Sequence, residues 1–248
     1  MRADHATLAG PPDTHRRVTM ARHRLVLWDI DHTLIDTGGV GRQVFADAFR
    51  HVTGVSMREQ ASVHGRTEQV IFADTARLHD LDPDAFDFGD FATALADGYR
   101  ARAAEMRERG HALPGAASIL AALHKEDGVV QTVVSGNPRS VSRIKLEMFG
   151  LDERIDFSLG AYGDDHTERP ELVRAARRLA EVRYGTAFDE ANTLIIGDTP
   201  ADIDAGLQGG ARVIAVATGA SDRGALSHAD HVLDDLSDTA AVVELVCG

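Results

Sequence analysis

The sequence predicts an α/β fold: a parallel sheet covered by helices on both faces, interrupted after its first strand by a helical insertion. Three observations predict it. Short, nearly continuous apolar runs recur along the chain, the pattern of strands buried on both faces. Helical patterns separate these runs, which implies right-handed crossovers between parallel strands. Between Thr37 and about Leu113 the alternation stops, and the segment is mostly helix-forming.

The strand runs are Arg24–Ile30 (RLVLWDI), Val129–Val134 (VVQTVV), Leu194–Ile196 and Val213–Ala217 (VIAVA). The helical patterns between them cover Ala116–Leu123, Ser140–Phe149 and Leu172–Val182. The insertion reads as helices over Gln43–His51, Gln69–Leu78 and Phe91–Arg107, with no convincing buried strand. Pro114-Gly115 then punctuates the return to alternation. Trp28, inside the first strand, is expected to fill the core. The expected division is a flexible arm over 1–20, an α/β core from 21–36 and 113–248, and a helical segment over 37–112. The arm is polar, carries Pro11 and Pro12 and has no apolar stretch of signal-peptide type; Met20 within it is a candidate natural start.

Composition narrows the function. At 248 residues the chain can bury a sizeable core. A formal net charge of −13 argues against nucleic acid or an anionic membrane as a main partner, because both reward basic patches. There is no run of 18 apolar residues, the length a membrane-spanning helix needs. The single cysteine, Cys247, excludes an internal disulfide and suits a reducing, cytoplasmic location. None of the 12 histidines falls in an HxxxH or HExxH spacing, so a zinc site is not expected. Only two of the basic residues are lysines, Lys125 and Lys145.

In an open parallel sheet, ligands bind beyond the carboxyl ends of the strands. The first strand ends in Asp29-Ile30-Asp31-His32-Thr33, the second in Ser135-Gly136-Asn137, and a later one in Gly197-Asp198-Thr199-Pro200-Ala201-Asp202. Asp29, Asp31 and Asp198 are thus expected at one sheet edge, with Asp202 a helical turn further on. Each alone is an ordinary turn or capping residue. Together they repel, by roughly 3 kcal/mol for a pair ~5 Å apart at an effective dielectric of ~20. Such a cluster calls for a cation, and an all-oxygen ligand set with an open position suits Mg²⁺.

Asp29-Ile30-Asp31-His32-Thr33 resembles the DxDxT signature of the haloacid dehalogenase-like hydrolase superfamily. Ser135 matches that superfamily's second motif, and Gly197–Asp202 matches the GDxxxD form of its fourth. The order, spacing and strand-end placement agree, and the resemblance spans residues 24 to about 240. It implies a three-layer Rossmann-like core with an α-helical cap, of the phosphoglycolate phosphatase and β-phosphoglucomutase-like group. It further implies a phosphatase acting on a small phosphorylated metabolite through an aspartyl-phosphate, with Asp29 as nucleophile and Asp31 as acid and base, a role calling for a raised pKa. Ser135 would donate to the phosphoryl group. Mg²⁺ would be held by Asp29, Asp198 and the Asp31 carbonyl, with Asp202 orienting its waters and Thr33 supporting the loop. Gly136 and Asn137 would face the substrate. An acid at Asp31 suits phosphoryl transfer better than C–Cl cleavage.

The third motif of that superfamily is normally a lysine. Here the segment reads Asp164-Asp165-His166-Thr167-Glu168-Arg169-Pro170, which puts Arg169 in its place. Arginine can bind phosphate oxygens but is not an equivalent group. Lys145, the competing cation, reads as part of a solvated helix face, and Asp165 as a turn or capping residue. The resemblance makes the insertion a mobile cap, with Asp36–Gly41 as its hinge. That Gly-rich stretch fits neither GxGxxG nor a phosphate-binding P-loop. His64-Gly65-Arg66-Thr67 resembles the group's specificity loop; Arg66 either contacts a second anionic group of the substrate or is a solvated loop arginine. A phosphomutase and a catalytically weak binding module remain as alternatives, and monomer and homodimer are both open.

Overall fold

Successive residues along each strand face opposite sides of the sheet, and because the buried strands are apolar on both sides this alternation builds two cores. In a computed structural model, which describes residues 23–248, a parallel six-stranded sheet has the order β5-β4-β1-β6-β7-β8. Its strands are β1 (Arg24–Trp28), β4 (Val129–Ser135), β5 (Ala161–Tyr162), β6 (Thr193–Gly197), β7 (Arg212–Val216) and β8 (His231–Leu233). The expected arm over 1–20 lies outside the described residues.

β1 lies between β4 and β6, pairing Leu25 with both Val130 and Thr193. Its Leu25 and Leu27 turn to one face and join Ile195, Val213 and Ala215 against α7 (Arg169–Tyr184) and α8 (Pro200–Gly209). Val26 and Trp28 turn to the other and meet α5 (Ala116–Leu123), α6 (Arg139–Met148) and α9 (Thr239–Cys247). Two helical layers thus enclose one sheet, the three-layer Rossmann-like architecture expected from the sequence. Trp28 is fully buried, as expected, and its indole N–H donates to Gln131 Oε1 at 3.2 Å.

The insertion differs from its sequence reading in detail. It holds α1 (Val40–Thr53), α2 (Glu68–Leu78), α3 (Phe88–Ala101) and α4 (Ala103–Arg109). The single helix expected over Phe91–Arg107 is broken at Arg102, whose backbone leaves helical geometry at φ −99° and ψ 18°. The Arg102 guanidinium bridges Asp47 and Glu105 there and anchors the break. A two-residue antiparallel ladder, β2 (Ile35–Asp36) with β3 (His111–Ala112), pairs the chain entering the insertion with the chain leaving it. Strands this short carry no periodic signal. Within the expected hinge, Gly38 and Gly39 have positive φ, and a Cβ at Gly38 would lie 2.4 Å from the Arg109 carbonyl. Val40, Phe45, Phe49, Phe91 and Tyr99 of the insertion belong to the same apolar cluster as Val26 and Trp28. No helix among the described residues is long and apolar enough to cross a membrane.

Candidate active site

Parallel strands end together, so β1, β4 and β6 deliver their terminal polar residues to one edge. Asp29 continues β1, its N–H donating to the Ile196 carbonyl at 2.9 Å. The chain then turns sharply: the Ile30 carbonyl accepts from the N–H of Thr33, Leu34 and Ile35, and His32 takes a left-handed φ of 62°. This turn aims the Thr33 hydroxyl at Asp29 Oδ2 (3.5 Å) and Asp198 Oδ1 (3.4 Å), so one buried side chain bridges two motifs 165 residues apart.

The sequence-expected residues converge. Asp29, Asp31, Ser135, Gly136, Asn137, Arg169, Asp198, Asp202 and Arg66 all line one cleft of about 280 Å³. Oxygens of Asp29, Asp198 and Asp202 lie within 4.8 Å of one another, and all three residues are buried. Gly219 approaches Asp198 so closely that a Cβ there would stand 1.8 Å from Oδ2, a contact the sequence reading did not anticipate.

Two cations divide the carboxylates. Arg169, at the first turn of α7, donates to Asp29 Oδ1 at 3.3 Å and to Asp202 Oδ1. Asp202 is otherwise committed to the start of α8: its Oδ2 accepts from Thr199 N at 3.0 Å and from the Thr199 hydroxyl at 2.6 Å, in a capping box. The second cation corrects the sequence reading. Lys145 is not on a solvated face; it is 3% exposed, and its ammonium donates to Asp31 at 2.7 and 2.9 Å and to Asn137 Oδ1 at 2.7 Å. The helical period places it on the inner side of α6 beside Val141, Ser142 and Ile144, a signal the α6 sequence carries. The Asn137 amide in turn donates to Asp31 Oδ2 (2.7 Å) and Ser135 Oγ (2.9 Å).

The electrostatics follow from this division. Burial raises the carboxyl of Asp29 above its ordinary range, with Asp202 adding to the rise and Arg169 opposing it. Burial also raises Asp198, helped by Asp29 and Asp202. Asp198 has no cationic side chain in salt-bridge reach among the described residues. Four carboxylates share two cations, and the unmatched oxygens of Asp29 and Asp198 are hard donors that fit a divalent ion. Asp31 departs from expectation. Burial favours its neutral form, but the charge and hydrogen bonds of Lys145, with the Asn137 amide, outweigh burial and lower its pKa.

Arg66 is tied to Asp74 and donates to the Ser62 carbonyl at 3.2 Å, so much of its charge is spent within the insertion. Its neighbour Gly65, at φ 65°, sits where a Cβ would be 2.1 Å from Ala201 Cβ, so this loop rests on the start of α8. The Gly136 carbonyl accepts from Glu68 N at 2.8 Å. Asp165 accepts from Tyr162 N at 2.8 Å, as a turn residue does.

A family model for haloacid dehalogenase-like hydrolases matches residues 26–206. The chain belongs to that family. No curated protein sequence matches it. Among solved structures of the same fold, a hydrolase from Pseudomonas syringae has 19% identity and a TM-score of 0.65, the match covering 91% of this chain and 100% of that one. CbbY from Rhodobacter sphaeroides, solved with phosphate, has 19% identity and a TM-score of 0.68, with 87% and 96% covered. A predicted phosphoglycolate phosphatase from Haemophilus somnus has 20% identity and a TM-score of 0.63, with 90% and 99% covered.

The site of this haloacid dehalogenase-like hydrolase has a stability signature. A carboxyl raised on folding contributes stability that is complete below its unfolded pKa of about 3.9 and lost as pH rises through the folded value. Asp29 and Asp198 both have that sign. Asp31 has the opposite sign, its contribution lost only as pH falls into the acid range. In excess chelator, melting temperature is therefore expected to be lower at about pH 8.5 than at about pH 5.5. Asp198→Asn should flatten that decline; a steeper decline in this variant would contradict the assignment.

Proposed function

We propose that the chain is a magnesium-dependent phosphatase that hydrolyses a small phosphate monoester through an aspartyl-phosphate on Asp29. The observation that carries this reading is the convergence of Asp29, paired with Arg169, Asp31, paired with Lys145, and Asp198, cation-free among the described residues, at one edge of the sheet. Such a site has a nucleophile, a proton carrier and positive charge for phosphoryl oxygens within one cleft.

Asp29 attacks phosphorus as the bond to the leaving oxygen breaks, and Asp31 gives that oxygen its proton. Water then attacks the aspartyl-phosphate, Asp31 takes the water's proton, and phosphate and free Asp29 result. In the arrangement seen here Lys145 holds Asp31 ionised. A phosphate dianion entering beside Lys145 competes for the ammonium and restores the conditions in which Asp31 carries a proton. Ser135 donates to the phosphoryl group, and Asn137 keeps Ser135 and Asp31 in register. Arg169 stands where the motif lysine of the family does, holding Asp29 against Asp202. Asp29, Asp198 and the Asp31 carbonyl would hold Mg²⁺, with Asp202 and Thr33 behind them. The ion, when bound, supplies charge that stabilises the phosphoryl oxygens.

Residues 37–112 serve in this reading as a cap that excludes water from the cleft, with Gly38 and Gly39 in its hinge. A phosphomutase needs a site for a second phosphate, and Arg66, the residue singled out for one, is already paired with Asp74. The lone cysteine supports a reducing, cytoplasmic setting.

The test is phosphate release from a panel of monoesters, with and without Mg²⁺, together with acid-quench capture of the phosphorylated chain. Release that depends on Mg²⁺ and a phosphoryl group recovered on Asp29 are expected. Release undiminished by chelator, or ligand binding without turnover across the panel, would overturn the reading.

A further inference from the structure

The insertion supplies part of the cleft's lining, and the most enclosed charged group it contributes is a carboxylate. Glu68 opens α2 and lines the cleft. Its Oε2 is buried and accepts no hydrogen bond. Burial pushes its pKa up to about 7, against the pull of Lys145. Its own N–H is held by the Gly136 carbonyl at 2.8 Å, which fixes Glu68 relative to the loop carrying Ser135 and Asn137. Tyr99 of α3 completes this corner, with the Lys145 ammonium 5.1 Å from its ring centroid. Asp36 adds a second carboxylate to the lining. Of the arginines on this side, Arg66 is paired with Asp74, and Arg42 is exposed.

A leaving group that carries its own carboxylate or second phosphate would bring like charge to these acceptors. A leaving group with hydroxyls would donate to them, and an enclosed acceptor discriminates strongly between a donor and its absence. We propose that Glu68 reads a hydroxyl of the leaving group, so that the substrate class is the phosphate monoester of a polyol or sugar rather than of a hydroxy acid. The inference rests on the phosphatase reading above.

The experiment compares kcat/KM of the full chain in Mg²⁺ for glycerol phosphate, a hexose phosphate, phosphoglycolate and p-nitrophenyl phosphate. A polyol or sugar ester is expected to exceed phosphoglycolate by at least about tenfold. Glu68→Ala should lower the ratio of polyol to p-nitrophenyl ester by about tenfold or more, chiefly through KM. Glu68→Gln, which keeps an acceptor oxygen, should hold that ratio within about threefold of the parent. Hydrolysis of p-nitrophenyl phosphate with a preference for phosphoglycolate, or an Ala variant whose ratio does not move, overturns the inference alone. A Gln variant as damaged as the Ala variant overturns it too, because charge acting through Lys145 would then be the cause. Absence of hydrolysis of every ester, p-nitrophenyl phosphate included, overturns the phosphatase reading and this inference together.

Discussion

Asp29→Asn is expected to lower kcat for phosphate release by at least about 10⁴-fold, the scale of loss when a nucleophile is removed from a site that acts as a unit. The amide occupies the same volume and still sits between Arg169 and the Asp198 edge, but it cannot form the acyl-phosphate. The fold should not suffer. Asp29 is a buried carboxylate whose charged form burial disfavours, so neutralising it relieves the cluster. Arg169 keeps its second partner, Asp202. The expected outcome is therefore an inactive protein whose melting temperature in chelator, near pH 8, is equal to or above that of the parent. Steady-state turnover and thermal melting on the same preparation check both halves. More than about one part in a hundred of the parent activity would place the nucleophile elsewhere.

Removing either buried cation is the second large effect, and the two should differ in kind. Arg169→Ala leaves Asp29 and Asp202 facing each other with no counter-charge, both of them buried. Breaking a buried pair by deleting one member costs about 3–5 kcal/mol. In a chain of this size that is roughly 6–20 °C of melting temperature. Arg169→Lys should recover part of the activity but less of the stability, since one ammonium cannot reproduce the fork that spans two carboxylates. Lys145→Met should act mainly on turnover. Its partner Asp31 is 35% exposed to the cleft, so water replaces part of the lost interaction and the stability loss is smaller. Activity should nonetheless fall by about 10²-fold or more, the scale for deleting one positioned charge at a reacting group. A Lys145→Met enzyme with parental kinetics would return Lys145 to the role of a structural side chain.

Much of the fold was legible because burial on both faces of a parallel sheet writes itself as contiguous apolar runs. Arg24–Trp28, Val129–Ser135, Thr193–Gly197 and Arg212–Val216 all fall within a residue or two of their expected bounds. β5, β8 and the β2–β3 ladder are only two or three residues long, too short to show a period. The break at Arg102 was equally hidden, since it is anchored by Asp47 from a different helix. The strand-end aspartates could be listed from sequence, because strand direction alone sends them to one edge. Of their cationic partners, Arg169 could be named from its motif position, but its second contact with Asp202 and the role of Lys145 could not. Lys145 reads as part of a solvated helix face although its period matches Val141 and Ile144, and Glu68, one residue before the helix expected over Gln69–Leu78, carries no mark of its own.

By itself, the order of residues determined the sheet, the insertion and the gathering of Asp29, Asp31, Ser135 and Asp198, because each follows from local pattern plus chain direction. Tertiary structure alone decided which cation serves which carboxylate. It set Arg169 on Asp29 and Asp202, Lys145 on Asp31, and Glu68 near Lys145. The reason is physical: a charge is tuned by what lies within a few ångströms after packing, and those neighbours come from segments whose separation in sequence carries no record of their distance in space.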